Sequence, residues 1–441
     1  MKKLLPILFL ATALSVSGQT RLDTLEARVN KMDKLMGILR DFRLSGYVQL
    51  QYQHADTVGA AGYDGGDFAP NTDNRFSVRR GRIKIGYEHE SPKGFKMVEA
   101  VFQMDMSEKG FGVRDFYGRI NDPWTGWVGF QGGIFNRQFG YEVPYSSQFR
   151  ETPERGRMSQ ILHPSEKDLG AEIIVESPST FKPVYLRLDA SVINGNGPSL
   201  VEFDKFKDFV GRIQARKIIG DKLKFTIGGG ASLYWGHVLQ STNTVYGLRN
   251  DSLGVLRYTN IADSNQTGKK GWERKYYGAD LQMSLDYKIG TTTLRGEFIA
   301  GQQPGVATGS TVPTAVGSNL YIRKFNGAYF YFIQTFKHKL KGNHTMYHDF
   351  VFKYDWYDPN SQITGKDLST VNDSKAGKGD VRYQTFGFGY IFRPYDWFKL
   401  MLYYDIVQNE KTNLAGYSRD LHDNVLTLRT QFTFDTNWFK K

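Results

Sequence analysis

Hydrophobic and polar residues alternate along many short stretches of this chain. In 76–89, FSVRRGRIKIGYEH, the basic residues Arg80, Arg82 and Lys84 alternate with glycine and isoleucine. Successive side chains of a strand point to opposite faces, so this period of two predicts a strand with one apolar and one basic face. The apolar face of such a strand packs on the core of a soluble sheet, or faces lipid when the polar face lines a water-filled barrel.

Similar stretches recur along the chain, each close to the length of about 9–11 residues that a tilted strand needs to cross a bilayer, or a little longer. The sixteen predicted strands are 44–53, 76–89, 95–106, 111–120, 127–135, 168–176, 184–193, 206–216, 222–235, 274–288, 291–301, 325–337, 345–356, 382–392, 397–407 and 424–434. In several of them a charged residue stands on the polar face, which is costly in a soluble core and ordinary in a wet lumen.

The connections between these strands alternate in length. Long connections are predicted at 54–75, 136–167, 194–205, 236–273, 302–324, 357–381 and 408–423, and short ones at 90–94, 121–126, 177–183, 217–221, 289–290, 338–344 and 393–396, while 107–110 is also brief. Short turns at one end and long loops at the other are typical of outer-membrane barrels. The pattern therefore predicts an all-β, 16-stranded antiparallel transmembrane β-barrel, and the alternative is a soluble protein built from several β-sandwiches.

The N-terminal region predicts export. Residues 1–18 combine two lysines, an apolar run and small residues, which is the pattern of a signal peptide, and we expect cleavage after Gly18. The alternative is an uncleaved membrane anchor. The domain boundaries that follow are a periplasmic helix or coiled coil at 19–42, the barrel at 43–434 and a C-terminal tail at 435–441.

The segment 19–42 carries apolar residues at alternating steps of three and four, as in the seam of a coiled coil. These residues are Leu22, Leu25, Val29, Met32, Met36 and Leu39. Tethering to an oligomeric barrel would raise the effective concentration of so short a helix and favour pairing between protomers. The alternative is a single amphipathic helix that lies on the barrel rim or plugs its mouth.

Composition and motifs exclude several classes of function. The chain has no cysteine, so disulfides and thiol chemistry are absent, and its net charge of +12 is scattered rather than clustered as in nucleic-acid-binding proteins. No zinc-protease, phosphate-loop or serine-hydrolase motif is present. We therefore predict that the protein is not an enzyme, and that it needs no cofactor, metal or nucleic acid.

Four stretches together resemble the phosphate-selective porins, the porin O and P family of Gram-negative bacteria, in a Bacteroidetes-like form. They are RFSVRRGRIKIGYE after the first long loop, VRDFYGRI at Val113–Ile120, GGIFNRQFGYEVPYSSQFRETPER at Gly132–Arg155, and DFVGRIQAR at Asp208–Arg216. The resemblance covers about 44–434. It implies a 16-stranded homotrimeric barrel in the bacterial outer membrane, with loops that fold inward and narrow the pore.

The predicted lumen wall is mixed in charge. Its basic residues include Arg80, Arg82, Lys84, Arg119, Arg212, Arg216 and Arg429, and acidic residues on the same faces nearly balance the basic ones. The resemblance to phosphate-selective porins therefore does not by itself establish selectivity for phosphate, and we expect selectivity to depend on the narrowest point of the pore.

The long connection 136–167 is the predicted constriction. It carries the candidate anion-binding residues Arg137, Arg150, Arg155, Arg157 and Lys167, and we expect the aromatic residues Phe139, Tyr141, Tyr145 and Phe149 to pack it against the wall. Arginine suits oxyanions because its planar guanidinium is always charged and offers paired donors. The alternative is that these arginines pair with Glu142, Glu151, Glu154 and Glu166 and only brace the loop.

The sequence thus predicts an outer-membrane porin for the passive diffusion of small hydrophilic solutes, with a preference for anions such as phosphate. Its expected partners are outer-membrane lipids, small anionic solutes and further copies of the same chain in a homotrimer. The alternative function is a barrel whose long extracellular loops act as an adhesin or receptor. A steady open-channel conductance separates the two.

Overall fold

The computed structural model describes most of the chain, and its strands account for most of the described residues. The described residues are 26–32, 37, 40–61, 66–108, 110–178, 184–198, 201–221, 223–240, 244–250, 252, 254, 256–262, 270–311, 315–316, 319–340, 344–368 and 376–437. The strands are β1 (Phe42–Ala55), β2 (Asn74–Glu90), β3 (Lys96–Ser107), β4 (Gly110–Asn121), β5 (Val128–Asn136), β6 (Lys167–Glu176), β7 (Val184–Ile193), β8 (Asp208–Ile219), β9 (Lys224–Gln240), β10 (Val245–Asn250), β11 (Leu256–Asn260), β12 (Lys270–Tyr287), β13 (Gly290–Gly305), β14 (Ala315–Val316), β15 (Leu320–Lys339), β16 (Thr345–Asp358), β17 (Tyr383–Tyr395), β18 (Phe398–Asn409) and β19 (Val425–Asp435). A short helix spans Arg157–Leu162 and a 3-10 helix spans Lys378–Asp380.

Sixteen of these strands form one closed antiparallel barrel, which confirms the predicted fold class and strand number. The barrel strands are β1 to β9, β12, β13 and β15 to β19, and each pairs with its neighbours along this order. The barrel closes where β1 pairs with β19, from Ser45 opposite Asp435 to Ala55 opposite Val425. Closure leaves no unpaired sheet edge, as the interior of a bilayer requires.

The connections divide the barrel into two different ends. At one end they have two to seven residues, and at the other they have 14 to 30 residues apart from the short connection 108–109. The end with the short turns is the periplasmic end in barrels of this type. Both chain ends of the barrel lie there, where Arg43 of β1 forms an ion pair with Asp435 of β19.

Three short strands lie in connections that the sequence analysis predicted to be loops. β10 pairs with β11 as a hairpin and runs parallel to the extracellular end of β15, and β14 runs parallel to β9. They contain six, five and two residues. A local pattern did not reveal them because they are short, and because β10 and β14 also pair with strands about 75 residues away along the chain.

Apolar side chains cover the outside of the barrel wall and polar ones are buried inside it. In β19, Leu428 and Phe432 are exposed, whereas Thr427, Arg429 and Gln431 are buried. This is the reverse of a soluble protein and fits a wall between lipid and a wet lumen. The protein is therefore a β-barrel of the outer membrane. No helix in the described ranges is long and apolar enough to cross a membrane.

The terminal segments are only partly described. The predicted signal peptide, 1–18, lies outside the described residues, as do residues 438–441 of the predicted tail. Within the predicted helix 19–42, the described stretch 26–32 is helical. Pairing of this helix between protomers stays a prediction.

Candidate functional site

The connection between β5 and β6, residues 137–166, lies inside the barrel and narrows its lumen; we call it the constriction loop. Its carbonyl groups accept hydrogen bonds from the far wall. Arg429 of β19 donates to the Pro153 oxygen at 2.6 Å, and Lys399 of β18 donates to the Gln148 oxygen at 2.9 Å. Backbone groups inside a barrel need such partners, and here wall side chains supply them.

A buried carboxylate of β13 anchors the first part of the loop. Glu297 accepts the backbone N–H groups of Tyr141 at 3.0 Å and of Glu142 at 3.2 Å, and the hydroxyl of Tyr329 at 2.7 Å. The turn just before needs glycine, because Gly140 has a φ of +62° and a Cβ there would overlap the Glu297 carboxylate. The loop therefore enters the lumen at a defined place.

One glutamate of the loop is shared by three arginines of the wall. Glu154 lies 2.7 Å from Arg79, 2.5 Å from Arg80 and 3.2 Å from Arg429, measured between nitrogen and carboxylate oxygen. Burial raises the pKa of Glu154, but the charges of Arg79, Arg80 and Arg429 outweigh it and hold the pKa well below its usual value. The carboxylate is therefore ionised.

A second glutamate is shared in the same way. Glu166 lies 2.5 Å from Arg114, 3.4 Å from Arg155 and 3.7 Å from Arg150. Burial raises the pKa of Glu166, but the arginine charges around it, Arg114 first, hold the pKa well below its usual value. Next to this group Arg82 pairs with Asp105 of β3 at 2.9 Å.

These two groups and the Arg82 pair form what we call the arginine cluster, in which seven arginines share three carboxylates. Its members are Arg79, Arg80, Arg82, Arg114, Arg150, Arg155 and Arg429, with Asp105, Glu154 and Glu166. The net formal charge is +4. Glu154 and Glu166 do pair with arginines, as the alternative interpretation expected, but they do not neutralise the seven arginines of the cluster. Glu142 instead accepts hydrogen bonds from the Gly156 N–H and the Tyr331 hydroxyl.

Two arginines of the cluster were missed by the sequence analysis. Arg79 and Arg114 each occupy an extra position in a strand: Gln49 faces Arg80 and the next residue, Leu50, faces Val78, and a similar shift in the pairing of β3 with β4 surrounds Arg114. A β-bulge of this kind turns two adjacent residues to the same side, against the period of two. In the sequence, each bulge is marked by two adjacent charged residues, Arg79 and Arg80 in β2, and Arg114 and Asp115 in β4.

Three cavities flank the constriction loop. The extracellular one, of about 520 Å³, is lined by arginine cluster residues and by loop tips. On the periplasmic side, a cavity of about 490 Å³ lies beneath β2 to β7 and includes Lys84 and Arg119. A third, of about 210 Å³, lies between the loop and strands β13 to β19, and we call it the periplasmic recess.

The structure brings some of the predicted site residues together at the constriction. Arg80, Arg82, Arg150, Arg155 and Arg429 belong to the arginine cluster. Arg157 lines the extracellular cavity with its guanidinium 3.9 Å from the centre of the Tyr383 ring.

Two residues predicted to bind anions at the constriction do not join the arginine cluster, which corrects the sequence interpretation. Arg137 forms a buried ion pair with Asp168, and Lys167 forms one with Asp115. Each of them stands where the loop joins a strand and is neutralised by a single wall carboxylate. They hold the base of the loop and do not add charge to the arginine cluster.

Two predicted lumen residues do not belong to the arginine cluster. Arg212 is paired with Asp280 at 2.7 Å within the wall. Arg216 is exposed near the periplasmic end, 5.2 Å from the centre of the Tyr185 ring.

The aromatic residues of the loop do not all pack against the wall. Phe139 is fully buried beside Tyr234 and Tyr276, as expected, and Tyr141 stacks on Tyr145 at 5.3 Å. Phe149, by contrast, is 62% exposed. The expectation that it packs the loop in place is wrong, because neighbouring backbone groups hold the loop there instead.

Comparison with known proteins supports the architecture. No family model and no curated protein matches the chain. Among solved structures, the chain is similar to OprB of Pseudomonas putida, with 9% identity over 90% of this chain and 96% of that one and a TM-score of 0.53. The outer membrane channel DcaP of Acinetobacter baumannii has 13% identity, over 89% and 97%, and a TM-score of 0.49, and an anion-selective porin from Comamonas acidovorans has 9% identity, over 89% and 99%, and a TM-score of 0.49. At these identities the likeness concerns the fold alone, and the OprB structure, with its TM-score of 0.53, supports the barrel architecture.

Proposed function

We propose that the protein is a porin for the passive diffusion of small hydrophilic solutes, with a preference for anions such as phosphate and other oxyanions. The proposal places it with the phosphate-selective porins that its sequence resembles. The observation that carries it is the arginine cluster, whose net formal charge is +4 at the narrow part of the lumen. Rings of arginine and lysine bias a pore toward anions.

The basic face of β2 offers a path past the constriction loop. Arg80 and Arg82 line the extracellular cavity, and Lys84 lines the cavity on the periplasmic side. Alternate residues of a strand are about 7 Å apart, so an anion moving along β2 passes from one positive charge to the next. Paired guanidinium donors suit phosphate oxygens in particular.

The test is the current through single channels in a planar lipid bilayer. We expect a steady conductance, a zero-current potential in a KCl gradient that shows preference for chloride, and a reduction of the chloride current on adding phosphate. A cation-preferring channel would overturn the anion preference. The absence of any conductance from folded protein would overturn the channel itself and favour a role of the extracellular loops in binding.

The homotrimer and its lipid surroundings belong to the same proposal. The resemblance to trimeric porins supports it, and so does the exposed apolar surface of the wall, which lipid and neighbouring protomers would cover. The mass of the detergent-solubilised protein, from light scattering, tests the number of protomers. A monomeric mass would overturn the trimer without affecting the channel.

A further inference from the structure

Phe149 lies at the tip of the constriction loop with its side chain exposed to the lumen. It is 62% exposed, and it lines the periplasmic recess together with lumen-facing residues of β13 and β15 to β19. Burying a phenylalanine side chain is worth about 1.5–3 kcal/mol, so leaving most of one in water forgoes stability. An exposed ring in a solute pathway is therefore a candidate contact for solute.

Hydrogen bonds hold the backbone around this ring. Lys399 donates to the carbonyl oxygens of Gln148 at 2.9 Å and of Arg150 at 3.2 Å, on either side of Phe149, and Gln431 donates to the same Gln148 oxygen at 3.1 Å. The segment is thus fixed on both sides of the residue. The ring is presented to the recess by a rigid support, which lowers the entropic cost of binding against it.

One basic side chain that lines the recess has no carboxylate partner among the described residues. Glu151 is engaged by both terminal nitrogens of Arg295 at 2.8 and 2.9 Å, and Asp349 is engaged by Arg393 at 2.8 and 2.9 Å. Within the described ranges Lys399 forms no ion pair, and its bonds go to uncharged carbonyl groups. The remaining lining carboxylate, Asp396, lies in the turn at the periplasmic rim.

From this arrangement we infer that the periplasmic recess binds small organic anions that carry a flat apolar ring, such as aromatic carboxylates. The ring lies against Phe149 and the anionic group is directed toward Lys399. This inference rests on the proposed channel function and deepens it, because it names a solute class distinct from inorganic phosphate. Aromatic rings prefer offset or edge-to-face contacts, which a ring exposed on one side allows.

The test compares three small probes on single channels, each added on the periplasmic side. Benzoate carries both a ring and a negative charge, acetate lacks the ring, and benzyl alcohol lacks the charge. We expect benzoate to interrupt the chloride current at concentrations at which acetate and benzyl alcohol have little effect. Equal effects of benzoate and acetate would overturn the inference, and so would equal effects of benzoate and benzyl alcohol.

Substitution of Phe149 identifies the site. F149L keeps an apolar side chain and should weaken the effect of benzoate by about three- to tenfold, the size expected for one lost aromatic contact, while F149Y keeps the ring and should retain it. The zero-current potential in KCl should be unchanged in both variants because no charge is altered. Undiminished benzoate binding by F149L would overturn the inference.

A binding measurement separates this inference from the proposed function. Isothermal titration calorimetry of the detergent-solubilised wild-type and F149L proteins with benzoate compares affinities without a current. A channel with no anion preference that still binds benzoate through Phe149 would overturn the proposed preference and leave the recess in place. An anion-preferring channel that does not bind benzoate would overturn the binding inference for the periplasmic recess and leave the proposed anion preference in place.

Discussion

Removal of one positive charge from the arginine cluster should reduce anion preference in a measurable way. Arg80 is suited to this test because it lines the extracellular cavity and donates to Glu154 at 2.5 Å. In R80Q, Glu154 keeps its pairs with Arg79 and Arg429, so no buried carboxylate is left without a cation. The neutral glutamine can still donate a hydrogen bond, which favours an intact loop.

The size of the effect follows from Coulomb's law. A unit charge about 8 Å from a passing ion in water changes the energy of that ion by roughly 0.5 kcal/mol, favourably for an anion and unfavourably for a cation. The ratio of anion to cation permeability then changes by about 1 kcal/mol, or about fivefold. Screening at about 0.1 M salt reduces this to about twofold. R80Q should therefore lower the permeability ratio by about two- to fivefold.

The assay is the zero-current potential in a KCl gradient across a planar bilayer, with R216Q as the matched control. Arg216 is also an arginine of a barrel strand, but it is exposed near the periplasmic end and does not belong to the arginine cluster. R216Q should shift the ratio less than R80Q does. An unchanged ratio in R80Q, or an equal shift in both variants, would refute the reasoning that the arginine cluster sets selectivity.

Three further outcomes follow from the loop and its charges. E297A removes the acceptor of two backbone N–H groups of the constriction loop and should give larger and noisier single-channel currents. E297Q, which keeps an acceptor, should change the currents less. Currents of E297A like those of the wild type would contradict the anchoring role of Glu297. Burial, and then nearby arginines, hold the pKa of His163 well below its usual value. Below about pH 6.5, His163 is therefore protonated in the unfolded chain but stays neutral in the folded chain, which favours unfolding. Thermal stability followed by circular dichroism should therefore fall from about pH 7 to about pH 5 in the wild type, and less in H163F. The pKa values of Glu154 and Glu166 are held low in the folded state, so the ion pairs of these residues stabilise the fold above pH 4.3, about the pKa of glutamate in the unfolded chain. This stabilisation is lost only as the pH falls through the lower pKa values of the folded state. The melting temperature of E154Q should therefore stay below that of the wild type down to about pH 4.3, and a loss of this difference at higher pH would contradict the ion pairs.

The barrel strands could be predicted because their pattern is local. Lipid on one side and water on the other impose alternation on every strand, so each strand carries its own evidence in about ten residues. The same alternation placed Arg80, Arg82 and Arg429 on the lumen side, where the structure has them. Strand boundaries differ by up to five residues, as at β15, which begins at Leu320.

The composition of the constriction could be predicted only in part. Arg79 and Arg114 enter it through bulges, which break the period of two that the sequence analysis relied on. Arg137 and Lys167 do not join the arginine cluster, because Arg137 pairs with Asp168 and Lys167 pairs with Asp115. A charged residue in a long loop has many carboxylates within reach, and the sequence does not say which one it meets.

By itself, then, the sequence determined the barrel, its strand number, its two unlike ends and the positive charge on the lumen face of β2. Each of these follows from the alternation of lipid-facing and water-facing residues within short stretches of the chain. Only the tertiary structure decided the path of the constriction loop, the sharing of Glu154 and Glu166 among six arginines and the exposure of Phe149. These depend on hydrogen bonds and ion pairs between different segments of the chain, from Arg79, 75 residues before Glu154, to Lys399, 251 residues after Gln148, and no local pattern encodes them.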